Sequence, residues 1–212
     1  MKLGKIAGVA LLALLPAYAE AQSLKTEIMI APKAEESHMI RISGSSNLKG
    51  LNASGFVDFF EKGTDNFYSE LWMKHNIRGK FGLQGELNNG RYTLDKGERK
   101  NAPAVLRGGV IADVPVPKNC YMSLKLLPLT ATSEGVQKSH QVGIYGEAKL
   151  PKGFYIENWT DYNFGANEKP STLTEFTAGK QIRDNLSLQV QLPYNVNSPG
   201  WALRAGARYK IK

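Results

Sequence analysis

"GWALRAGARYKIK", Gly200 to Lys212, is the stretch whose reading decides the fold. Trp201, Leu203, Ala205, Ala207, Tyr209 and Ile211 form one alternating set; Ala202, Arg204, Gly206, Arg208, Lys210 and Lys212 form the other. In an extended strand successive side chains point to opposite faces, so one face is apolar with an aromatic near each end and the other is small or cationic. Either the apolar face meets a protein core and the cationic face meets bulk water, or the first meets lipid and the second an aqueous interior.

The start of the chain bears on that choice. Lys2 and Lys5 precede the apolar run "IAGVALLALLPA", and Ala17-Tyr18-Ala19 and Ala19-Glu20-Ala21 offer small-x-small cleavage sites, so residues 1–21 read as a secretory signal peptide. The run falls short of the roughly 20 apolar residues a spanning helix needs. Residues 22–212 then form one β-domain carrying 25 cationic and 18 acidic residues, a surplus of +7. In an exported chain that surplus points to anionic headgroups or small anions rather than nucleic acid. Cys120 is the only cysteine, so no intramolecular disulfide supports the fold.

Period-two patterning recurs throughout, as in Leu106/Val110/Ala112/Val114, Val142/Ile144/Ala148/Leu150 and Leu186/Leu188/Val190/Leu192, with Gly, Asn, Asp and Pro clusters between runs. Twelve strands are expected: 24–32, 38–47, 54–63, 66–77, 80–88, 104–114, 120–128, 140–150, 154–164, 172–182, 185–193 and 201–211. Short turns (77–80, 115–119, 151–153, 183–185) alternate with longer polar loops (88–103, 128–139, 165–171, 193–200). Short turns at one end and long loops at the other are the pattern of outer-membrane barrels. An even count lets the first strand pair with the last, placing Glu27 on the same face as Arg204 or Arg208.

Length agrees with a lipid-facing surface. Trp201 and Tyr209 are eight residues apart on one face, as are Phe154 and Tyr162. That is roughly 26 Å along a strand, or roughly 20 Å after tilting, near the height of an apolar band bordered by aromatic girdles. On these grounds the chain resembles the small Gram-negative outer-membrane β-barrels, which include monomeric porin-like channels and phospholipase barrels. The resemblance is architectural and spans the mature chain. It implies an all-β antiparallel up-and-down transmembrane barrel in the bacterial outer membrane, surrounded by lipid including lipopolysaccharide, with no cofactor.

Parity assigns the lumen Arg41, Lys74, Arg107, Lys125, Lys149, Arg204, Arg208 and Lys210, against Asp58, Glu70, Glu86, Asp113, Glu147, Glu157, Asp161 and Glu175. These define a channel for small polar or anionic solutes, with Arg204 and Arg208 as a cationic ladder. A barrel plugged by its own salt bridges, with a structural or adhesive role, is the alternative. A hydrolase is disfavoured. Ser139 and His140 point to opposite faces; His75 and Ser69 share the lipid face six residues apart; His38 follows Glu35 and Glu36 at the loop mouth, the best place for an acid–base site. No metal-ligand spacing is present.

Overall fold

A computed structural model describes residues 21–31, 38–48, 50–60, 66–93, 99–132, 135–165, 168–195 and 198–211. All but the last residue of the expected signal peptide lie outside them. The strands are β1 (Ala21–Ile30), β2 (Met39–Leu48), β3 (Leu51–Phe60), β4 (Phe67–Arg78), β5 (Phe81–Thr93), β6 (Arg99–Asp113) and β7 (Cys120–Thr132). They continue as β8 (Gly135–Gln137), β9 (Ser139–Lys149), β10 (Phe154–Gly165), β11 (Glu168–Arg183), β12 (Leu186–Asn195), β13 (Ser198–Trp201) and β14 (Arg204–Lys210). β8 runs on into β9 against β7, and β13 runs on towards β14 against β12, so the fourteen segments make twelve barrel strands.

Each strand pairs antiparallel with its neighbour in sequence, and β1 pairs with β14 to close the ring. The seam register sets Glu27 opposite Arg208 and Ile28 opposite Ala207. Closure is what allows a sheet to stand in hydrocarbon, where an open edge would leave backbone groups without partners.

Solvent exposure is inverted relative to a soluble protein. Among the described residues, seventeen polar or charged side chains are buried against six hydrophobic ones. Ile28, Leu83, Leu124, Ile144, Leu188 and Val190 are all exposed on the outer wall. Period-two chemistry therefore aims apolar groups outward at lipid and polar groups inward. Val190→Arg, in mid-strand, is expected to cost about 2–4 kcal/mol, read as a lower urea midpoint of the heat-modifiable gel band in vesicles.

Several strands overrun the expected bounds. β5 continues to Thr93, β6 begins at Arg99, β7 reaches Thr132 and β11 begins at Glu168, inside stretches expected to be loops. Apolar alternation ends where lipid ends, but the backbone ladder does not need apolar side chains and carries the hairpins further. For the same reason β3 begins at Leu51 rather than 54: its first turnward residues are Asn52 and Ser54, which line the interior. The β2–β3 turn is tight and carries Gly50 at φ +90°, a conformation few other residues adopt. Five such turns occupy one end, together with β1's start and β14's finish; this is the turn end, and the opposite one is the loop end.

Candidate functional site: the barrel interior

Three ionic chords cross the interior. Arg41 on β2 holds Asp58 on β3 through two hydrogen bonds (Nε to Oδ1, 2.7 Å; Nη2 to Oδ2, 2.9 Å) and reaches Glu175 on β11 at 2.9 Å. Arg208 on β14 donates to Glu27 on β1 at 2.9 Å and to both oxygens of Glu157 on β10 at 2.6 and 2.7 Å. Lys125 on β7 lies 2.6 Å from Glu86 on β5 and 2.9 Å from Asp161 on β10. In each case at least one partner lies beyond the neighbouring strand, so the pair spans lumen rather than ladder. Planar guanidinium forks suit two-oxygen contacts with carboxylates, which explains arginine at the bidentate positions.

Aromatic rings close what the ions leave. Phe56 on β3 sits 5.5 Å from Trp72, 5.8 Å from Tyr68 and 6.3 Å from Trp159, between ring centroids. β3 and β10 are six positions apart either way round the twelve-strand ring, so the Phe56–Trp159 contact joins opposite walls. The Arg41 guanidinium lies 4.3 Å from the Phe56 ring centroid, a cation–π contact that ties the aromatic bridge to the first chord. Beside the bridge Glu70 accepts hydrogen bonds from Tyr68 Oη at 2.9 Å and Trp72 Nε1 at 2.6 Å.

Two cavities flank this belt, with Trp159 in the lining of both. The turn-end chamber, of about 450 Å³, is lined by Lys74, Ser123, Tyr145, Glu157 and Arg208 among others. The loop-end chamber, of about 200 Å³, is lined by Tyr68, Asn88, Arg107, Gln141 and Asp161 among others.

Apart from Glu70, held by Tyr68 and Trp72, the expected lumen residues divide into three groups. Arg41, Asp58, Glu175, Lys125, Glu86, Asp161, Arg208 and Glu157 come together in the chords, and Lys74 pairs with Asp113 at 2.8 Å nearer the turns. Arg107 faces the loop-end chamber, and Arg204 lies by Met39 Sδ at 3.6 Å. Lys210, Lys149 and Glu147 stand at the turn-end rim; Lys149 is 77% exposed and only 3.8 Å from Glu147. The ladder expected of Arg204 and Arg208 is thus not a pair of free charges, because Arg208 is held by two carboxylates.

Outside, Phe154, Tyr162 and Tyr209 are exposed as interface aromatics would be; the side chain of Trp201 lies outside the described residues. Among the histidines, His140 Nδ1 lies 2.9 Å from the Pro128 carbonyl, with its ring against Phe164. His38 Nδ1 accepts from the Ala31 amide at 3.0 Å, while Glu35 and Glu36 fall outside the described residues. Phe56, Tyr68, Trp72 and Trp159 were missed because parity was applied to charges alone; Phe56 shares its face with Asp58, and Trp159 with Asp161. Gly143 was missed too. A Cβ there would collide with the side chains of Lys125 and Asp161, so the third chord depends on a residue with no side chain.

No protein-family model matches the chain, and no curated protein sequence matches it. Solved structures do. A KdgM porin superposes with a TM-score of 0.53 at 14% identity, and a KdgM porin in complex with disordered oligogalacturonate with 0.58 at 12%. A NanC porin superposes with 0.59 at 10% identity. Each alignment covers 88% of this chain and 98% of the other. The chain therefore has the fold of these outer-membrane porins, a closed twelve-stranded antiparallel barrel.

Proposed function

We propose that this protein is a non-enzymatic outer-membrane channel that passes small polar or anionic solutes through a charged lumen. The observation that carries the reading is the pair of chambers walled by charged, amide and hydroxyl groups among aromatic ones, one towards each end of the barrel, meeting at a narrow belt of ion pairs and aromatic rings. Hydroxyl, amide and charged groups on the chamber walls can replace a polar solute's hydration, which a transport path requires. Support for anionic solutes comes from the cationic turn-end rim and from the oligogalacturonate complex of one structural neighbour. The chords do not add to it, because their cations are already matched by carboxylates.

The second reading is a structural or adhesive barrel with a plugged lumen. It is favoured by the depth of the same chords: Glu86 is 0% and Asp58 4% exposed. Single-channel recording in a planar bilayer under a salt gradient separates the two. Discrete conductance steps from folded, heat-modifiable protein are expected, with a reversal potential on the anion side. Folded protein that gives no steps would leave the plugged barrel as the better account.

A further inference from the structure

The chain's charge surplus is not spread over the barrel. Around the turn end stand ten described cationic residues, Lys74 included, and three acidic ones, Asp113, Glu147 and Asp184. In the sequence, the segments 31–38, 61–66, 91–100, 133–138, 166–169 and 196–200 carry eight of each sign.

Few of this rim's cations have a carboxylate partner within the barrel: Lys74 pairs with Asp113, and Lys149 lies 3.8 Å from Glu147. Lys25 and Lys210 are directly opposite each other across the β1–β14 seam, at the inner lip of the barrel, with Lys25 in the lining of the turn-end chamber; like charges so placed cost stability. Lys180 faces outward on β11 with its Nζ 5.0 Å from the ring centroid of Phe154, itself exposed on the outer wall. A lysine lying on an interface aromatic holds its ammonium at headgroup height, as snorkelling lysines do. Lys152, at the tip of the β9–β10 turn, and Arg183, at the end of β11, are exposed in the same sector. The turn carrying Lys152 packs on β11, with a Gly153 Cβ position 3.3 Å from the Gln181 carbonyl.

We infer that the turn-end collar binds the headgroups of anionic phospholipid in the leaflet at that end, with the Lys152–Lys180–Arg183 sector as its strongest contact. In outer-membrane barrels short turns lie on the periplasmic side, where the leaflet in question is phospholipid. This inference is independent of whether the lumen conducts.

The test uses folded full-length protein in nonionic detergent supplemented with equal phosphatidylglycerol and phosphatidylcholine. After washing, lipid retained per protein is measured by mass spectrometry. The native protein should retain phosphatidylglycerol in excess, and the excess should collapse at high salt. K152Q/K180Q/R183Q should lower the preference by roughly tenfold or more while keeping heat-modifiable migration, and the loop-end control K138Q should leave it unchanged. Equal retention of both lipids by the native protein, or an undiminished preference in the triple variant, overturns the inference.

Discussion

Phe56→Ala combined with Trp159→Ala should raise single-channel conductance severalfold without unfolding the barrel. The two rings come from opposite walls and meet across the axis, so removing both joins the chambers on either side into one path. Backbone pairing and the lipid face are untouched, which is why folding should survive. The pair also forfeits interior packing, and aromatic contacts of this kind are worth about 0.5–1.5 kcal/mol each, a loss a membrane barrel can absorb. Each single substitution should give an intermediate conductance. A double variant that folds and conducts no better than the native protein would place the resistance elsewhere, in the ionic chords or in the loops.

Arg41→Met should be the most destabilising single change in the interior. Arg41 bridges Asp58 and Glu175, and their side chains are only 5% and 12% exposed. Removing the guanidinium leaves two poorly hydrated carboxylates facing each other, and breaking a buried pair this way costs about 3–5 kcal/mol. The readout is the urea midpoint of the heat-modifiable band in vesicles. The triple change Arg41→Met, Asp58→Leu, Glu175→Leu should recover most of the loss, because it removes the charges rather than stranding them. If Arg41→Met alone is neutral, water reaches the two carboxylates and the belt is wetter than its packing implies.

The barrel was legible in the sequence because lipid imposes a simple rule: every second residue is apolar, for a length set by bilayer thickness. Even the weakly patterned first strand came through, since an even strand number was needed to close the ring on residues 201–211. Strand ends were less legible. Beyond the lipid the ladder continues through polar stretches such as Arg99–Ala102, where hydropathy carries no periodic signal. Parity also tells which way a side chain points but not how far it reaches. Arg41 touching a residue on β11, or Phe56 meeting Trp159, depends on side-chain length measured against barrel diameter, and nothing in either strand alone encodes the meeting.

The seam has a consequence for how the chain assembles. Every adjacent pair of barrel strands but one is formed by neighbours in sequence, so most of the sheet can grow by local hairpins at small entropic expense. The exception joins the two termini of the β-domain, and Arg208 and Glu27, the ion pair on it, are separated by 181 residues. Long-range ordering is therefore concentrated in a single event. Because Arg208 also grips Glu157 on β10, that event fastens the last strand simultaneously to the first strand and to a strand three positions away on its other side. One side chain thus acts as the clasp of the cylinder.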